Sequence, residues 1–191
     1  MPTGHNGPAS RRSLRNFSRL DYEHMIGAGI LGEDEHVELI GGRIVEMSPE
    51  GPAHAGAIDL CAEALRAVFG AGYTVRVQHP LIVDPLDEPE PDVAIVPGGP
   101  RDHLAEHPHA AALVVEVADS SLEFDRGDKA RLYARAGFEE YWIVNLRDRC
   151  LEVHRQPSPG GYGHVATLAA DATVVPLAAP AARIAVAALL P

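Results

Sequence analysis

Two short apolar runs, PDVAIV starting at Pro91 and ALVVEVA ending at Ala118, constrain the fold of this chain more than any other feature. Neither is long enough for a helix of ordinary length, and neither alternates as a half-exposed strand does. Runs of this kind belong to central strands covered on both faces. The chain must therefore supply helices or further layers to cover two sides of a sheet.

The covering elements can be read from spacing. Ser18 followed by Asp21 has the pattern of a helix N-cap with its reciprocal acid, which predicts a short helix to about Ile30. HVELIGGRIVEM places two β-rich runs around Gly41 and Gly42, the spacing of a tight hairpin whose turn needs positive φ. From Pro52 to Phe69, Ile58, Cys61, Leu65 and Val68 recur at three and four residues and predict an amphipathic helix, ended by Gly70 and Gly72. His54, four residues before Ile58, shares its inward face. YTVRVQHPLIVD predicts a strand whose far end, at Pro80, lies near an edge or a bulge. A second helix is expected from near Asp125 to Gly137, then a hairpin of EYWIVN and CLEVHR around the turn LRDR. The last 30 or so residues predict one or two more strands and an Ala/Pro-rich tail.

With 191 residues, 46% of them hydrophobic and only 5% aromatic, the chain can close one core of aliphatic layers. The expected fold class is α/β, an α+β arrangement with a mixed central sheet flanked by helices. The expected organisation is one domain over residues 20–191 behind a flexible basic arm of residues 1–19. That arm contains Arg11, Arg12, Arg15 and Arg19 and no acid, so it either reaches phosphates or serves as a solubilising leader.

Net charge is −11, which argues against a protein that coats nucleic acid through a broad basic face. No apolar run approaches the roughly 20 residues needed to span a bilayer, and no signal peptide is apparent, so a cytoplasmic protein is expected. Cys61 and Cys150 lack metal-ligand spacing and the count of a disulfide framework, and both are expected to be reduced. His103, His107 and His109 invite a zinc reading, but Pro108 interrupts them and no further ligand at regular spacing completes a site.

Chemistry enters with the acids. Asp92 stands at the head of one apolar strand, and Glu116 interrupts the other, where an isolated carboxylate is expensive. A metal ion, a cation from the next element or a shared proton must neutralise it. In DRGDKARLYARAG, Lys129, Leu132, Tyr133 and Ala136 fall on one helix face, so Lys129 points toward the sheet. It is the one lysine among 16 basic residues. Two carboxylates with backbone oxygens make a hard-oxygen site suited to Mg2+ or Mn2+, open to water and a phosphate. A compact ammonium beside them can stabilise developing negative charge or hold an attacking water. A structural ion pair between Glu116 and Lys129 is the plainer alternative. Glu38 lies on the first hairpin, as ligand or as surface decoration, and His54 and Gln78 are candidate substrate contacts.

ELIGGRIVEMSPEGPAH, PDVAIV, LVVEVADSS, DRGDKARLYARAGFEEYWIVN and LEVHR resemble the Uma-two family, a branch of the PD-(D/E)XK nuclease superfamily, from about Glu38 to Arg155. The superfamily pattern places an Asp at the head of one strand, a Glu in the next and a Lys two residues on. Asp92 and Glu116 match, position 118 is Ala, and Lys129 matches the version in which the lysine has moved to the following helix. Glu38 and His54 match a family Glu in the first hairpin and a His opening the next helix. Gly41 stands where the family usually has Asp.

The resemblance implies a restriction-endonuclease-like core with metal ligands Asp92, Glu116 and the Val117 carbonyl. It further implies a Mg2+-dependent (or Mn2+-dependent) DNA endonuclease with Glu38 and Lys129 in the catalytic group, expected to work as a homodimer or higher homo-oligomer. Competing expectations are an inactive nuclease-fold module for binding or regulation, and a hydrolase of small phosphate compounds.

Overall fold

The structure, a computed structural model, describes residues 14–32, 34–47 and 51–191. Arg11 and Arg12 of the basic arm lie outside the described residues. Helix α1 (Arg19–Gly27) starts where Ser18 and Asp21 place it: the Ser18 hydroxyl accepts from the Asp21 amide, and the Asp21 carboxylate accepts from the Ser18 amide. Strands β1 (Val37–Ile40) and β2 (Arg43–Glu46) form the expected hairpin, with Gly41 and Gly42 at φ 58° and 71°. Helix α2 (Pro52–Val68) buries Ala57, Ile58, Cys61, Ala62 and Leu65.

A six-stranded mixed sheet forms the centre, in the order β3 (Tyr73–Val77), β4 (Val93–Pro97), β5 (Leu113–Ala118), β6 (Glu140–Asn145), β7 (Cys150–Ser158) and β8 (Gly161–Ala169). Neighbours are antiparallel except β5 and β6, which run parallel, with Glu116 opposite Ile143. Every residue of β5 and β6 is buried, because both faces are covered. Val93, Ile95, Val115, Val117 and Trp142 pack toward α2 and the C-terminal segment. Ala94, Val114, Ala118, Tyr141 and Ile143 pack on the other side, beneath the helical segment that follows β5. Residues alternate strictly between these layers, so Glu116 must face the second one.

That segment departs from the simple helix expected over 125–137. A short α3 (Leu122–Phe124) runs into a π-helical turn (Asp125–Lys129) and then α4 (Ala130–Arg135). The Ala130 amide reaches back five residues to the Asp125 carbonyl. Gly137, at φ 79°, follows the helix end as expected.

Two further expectations need correction. The strand read through YTVRVQHPLIVD stops at Val77, because Gln78 turns to φ 50° and leaves the ladder; β3 is nevertheless an edge strand. Helix α2 ends at Val68, one residue short of the expected bound, with Phe69 as its cap donating to the Leu65 carbonyl and Gly70 following directly.

The end of the chain covers the core. β9 (Thr173–Val174) and β10 (Ile184–Ala185) pair, and a 3-10 turn (Val186–Leu189) sets Val186, Leu189 and Leu190 into the α2 layer. Among the described residues no helix is long and apolar enough to cross a membrane.

Candidate active site

The β1–β2 hairpin is a separate two-stranded sheet, and the acidic loop before β4 fixes it in place. Leu39 and Glu88 exchange backbone hydrogen bonds of 3.3 and 2.8 Å, the Gly42 amide donates to the Leu86 carbonyl at 2.8 Å, and the Gly41 amide donates to Asp87. So pinned, both faces of β1 are enclosed. Leu39 is fully buried on one side and Glu38, only 2% exposed, on the other, where its Oε2 accepts from the Glu90 amide at 3.1 Å. Glu38 is therefore an interior carboxylate, and surface decoration is ruled out.

Asp92 lies one step before Val93, which pairs with Val115, so it stands across from Glu116 at the head of β4. The Val117 amide donates to Asp92 Oδ2 at 2.7 Å, while the Asp92 amide makes a long 3.5 Å contact with Glu116 Oε2. His54, in the first turn of α2, brings Nε2 to 3.7 Å from Asp92 Oδ1. The Gln78 amide donates to the Asp92 carbonyl at 3.1 Å, so its positive-φ turn supports the backbone behind Asp92.

The helical layer closes the group. Lys129, 5% exposed, brings Nζ to 3.0 Å from Glu116 Oε1 and 3.2 Å from Glu38 Oε1. Tyr133, one turn on, donates its hydroxyl to the same Glu116 oxygen at 2.8 Å. The inward direction that helical phasing assigns to Lys129 and Tyr133 is the one observed, and the expected proximity to Glu116 is direct.

One ammonium is thus set among Glu38, Glu90, Asp92, Glu116 and Asp125, and this imbalance governs the local acidities. Burial draws the Lys129 ammonium down, but Glu116 and then Glu38 outweigh it, so the lysine is held firmly charged. Burial pushes Glu116 well above the usual carboxylate range; Lys129 pulls it back and Asp92 pushes it further up. For this interlocked pair the dominant fact is the charged lysine, and any proton the cluster keeps sits on a carboxylate. Asp125 is pushed up to about 6, first by burial and with partial relief from Lys129.

Asp125 escapes the sequence reading as a site residue. It opens the π-helical turn, is 2% exposed, lines the same cavity, and its Oδ2 has no hydrogen-bond partner among the described residues. The available signal was its spacing, four residues ahead of Lys129. Glu90, held in a proline-rich loop with no periodicity, gave no such signal.

The cavity holds about 320 Å3 and is lined by Asp92, Glu116, Val117, Asp125, Lys129 and His54 among others. Among the described residues no three His, Cys, Asp or Glu side chains converge as a preformed metal cage. The donor chemistry still fits a hard divalent cation. Mg2+ is commonly held by one or two carboxylates with its remaining positions left to water and phosphate, and Asp125 lines the same space with a buried oxygen that no described residue satisfies. Asp92 and Glu116 are the residues that could hold it, beside Val117. The histidines of the zinc reading go separate ways: His103 to the Pro97 carbonyl, His107 to Arg76 and His109 to Glu106.

Comparison with known proteins accords with this architecture. A solved structure described as a putative nuclease belonging to DUF820, from Anabaena variabilis, matches with a TM-score of 0.65 at 16% identity, covering 80% of this chain and 88% of that one. At that identity the likeness speaks to the fold, which is restriction-endonuclease-like. No curated protein matches. The model of the Uma2 family, described as "Putative restriction endonuclease", matches residues 20–187, and the chain belongs to that family.

Proposed function

We propose that this protein is a metal-dependent endonuclease that hydrolyses DNA phosphodiester bonds. The observation that carries this reading is the buried junction of Lys129 with Glu116 and Glu38, beside Asp92, on the wall of one cavity. Asp92 and Glu116, with the Val117 carbonyl, would hold Mg2+ or Mn2+. Once bound, such an ion polarises a phosphoryl oxygen and lowers the pKa of water.

The chain's own residues do the positioning. The Val117 amide fixes one oxygen of Asp92, leaving Oδ1 toward His54. Tyr133 and Lys129 share Glu116 Oε1, which fixes that carboxylate and leaves Oε2 on the Asp92 side. Glu38 Oε1 holds the same ammonium at 3.2 Å, so Lys129 is tied to two carboxylates at once. In the reaction the ammonium would stabilise negative charge growing on the phosphate, worth several kcal/mol in a site shielded from water. In this reading His54, on the cavity wall, contacts substrate, Gln78, which is not among the residues lining that wall, supports the backbone of Asp92, and Glu38 is a positioning partner of the lysine. The acting form under the same reading is a cytoplasmic homodimer or higher homo-oligomer, since two strands must be cut.

Purified protein incubated with plasmid and oligonucleotide DNA should show cleavage in Mg2+ or Mn2+ and none in chelator. Asp92→Ala, Glu116→Ala and Lys129→Arg should each abolish it. Cleavage surviving all three substitutions would assign the activity elsewhere. DNA binding without cleavage by the wild type would favour a non-catalytic nuclease-fold module, and turnover of mononucleotides alone a hydrolase of small phosphate compounds.

A further inference from the structure

Beside the acidic cleft lies a second depression, of about 330 Å3, and Val45 and Phe124 line both. The two differ sharply in charge. The cleft is lined by seven carboxylates and one ammonium, whereas its neighbour collects Arg43, Arg131 and Arg135 against Asp87 and Asp128. In a chain of net charge −11, this lining carries an excess of one positive charge across a shared apolar wall, with Asp84 outside the lining 3.9 Å from Arg135.

The arginines are presented by rigid elements. Arg43 opens β2 directly after the pinned turn, is exposed, and has no ion-pair partner among the described residues. Arg131 and Arg135 stand one turn apart on α4, with side chains 58% and 50% exposed. Asp87, itself 2% exposed, accepts from Arg135 at 2.8 Å and from the Gly41 amide, so one buried carboxylate ties the helix arginine to the hairpin turn. Asp128 holds Arg131 at 2.6 Å from the exposed side. Each guanidinium has five donors, and these pairs leave most of them for another acceptor.

We propose that this arginine-lined groove binds the backbone phosphates of a nucleic-acid strand next to the phosphate lying in the acidic cleft. The inference rests on the nuclease reading of that cleft and adds where the rest of the substrate lies. A strand carries one negative charge per about 3.4 Å of helix axis, so a polyanion with one phosphate among seven carboxylates must set its neighbours against positive charge nearby. Planar guanidinium groups meet phosphate oxygens in pairs, which suits a groove built from arginine. Phosphate contacts of this kind fix register and orientation without reading bases. DNA and RNA share the backbone chemistry, and the groove engages either.

The test is the salt dependence of binding, read by fluorescence anisotropy with labelled DNA and RNA oligonucleotides and with Ca2+ held at a fixed concentration. Each lost phosphate contact lowers the slope of log K against log salt by about 0.7 for a single strand and about 0.9 for a duplex. Arg43→Ala/Arg131→Ala should therefore flatten the slope by about 1.4 and about 1.8 respectively, with an unchanged melting midpoint. Arg43→Lys/Arg131→Lys should restore most of it, which a merely misfolded groove would not allow. Arg66→Ala, on α2 about 18 Å along the helix from His54, should leave the slope at the wild-type value.

Identical slopes for wild type and the double alanine variant would overturn the proposal, as would failure of the wild type to bind at low salt. Plasmid cleavage in Mg2+ separates the two claims. Cleavage with unchanged slopes removes the groove and keeps the nuclease. Altered slopes without cleavage keep the groove and remove the hydrolysis.

Discussion

Replacing Lys129 with Met keeps the stem that fills the space between sheet and helix and removes only the ammonium. Glu116 and Glu38, 3.0 and 3.2 Å from Nζ and each under 5% exposed, then lose their cation without gaining access to water. Breaking a buried pair from one side costs about 3–5 kcal/mol, because it leaves charge uncompensated in the interior. In a domain of this size each kcal/mol lowers the melting midpoint by about 2–4 °C, so the deficit is about 6–20 °C at neutral pH. The deficit must also depend on pH. Burial already raises Glu116 above its ordinary value, and loss of Lys129 removes the chief influence holding it down. A carboxylate raised in the folded state contributes stability below its unfolded pKa and loses it as pH rises through the folded value. The gap between variant and wild type should therefore be small near pH 4.5 and widen toward pH 8. Thermal and urea unfolding of both proteins in chelator across that range measures it. A gap under about 1 kcal/mol, or one of constant size with pH, would refute the view that Lys129 compensates two interior carboxylates.

Three further outcomes follow from other parts of the molecule. Asp125→Asn removes a carboxyl raised from 3.8 to about 6, whose contribution is present below about pH 4 and lost through pH 6; in chelator at pH 7 the variant should be more stable by up to about 3 kcal/mol, measured by urea unfolding. Glu152 has the opposite sign. Burial pushes it up, but nearby His154 and hydrogen bonds from Arg126 and Asn145 bring it down to about 2, so its contribution is present above about pH 4.5 and lost as pH falls toward 2. Glu152→Gln should cost about 1.5–3 kcal/mol near neutral pH, the worth of charged hydrogen bonds, and acid titration of the unfolding midpoint should bring the two proteins together. Gly42→Ala would place a Cβ 2.5 Å from Asn16 Cβ at φ 71°, and should destabilise by about 1–3 kcal/mol in equilibrium unfolding.

The central strands and their anomalous acid were legible because they break the same rule in opposite directions. β4 and β5 are buried on both faces, so no polar alternation was needed, and Glu116 stood out as a charge that required a partner. Lys129 was legible for a local reason. The π-helical turn ends at that residue, so the phase from Lys129 to Tyr133 is that of an ordinary helix. Asp125 sits at the other end of the wide turn, outside the stripe traced from Lys129 onward. Glu38 was ambiguous because strand alternation assumes one wet face, whereas β1, held between a loop and a helix, is enclosed on both. The true end of β3 depended on Gln78 taking a left-handed conformation, which no glycine signalled.

The placing of the ammonium on a helix rather than on β5 ties the site to one tertiary event. With a lysine at position 118, both charges would travel on a single strand. Here they meet only when the segment from Leu122 to Arg135 is docked on the sheet, and that segment includes a turn already wider than an α-helix. Fraying of one short helix would disassemble the constellation while leaving the sheet standing. Amide exchange in Asp125–Arg135 would then report how often the junction of Lys129 with Glu116 and Glu38 is assembled, separately from how often the molecule is folded.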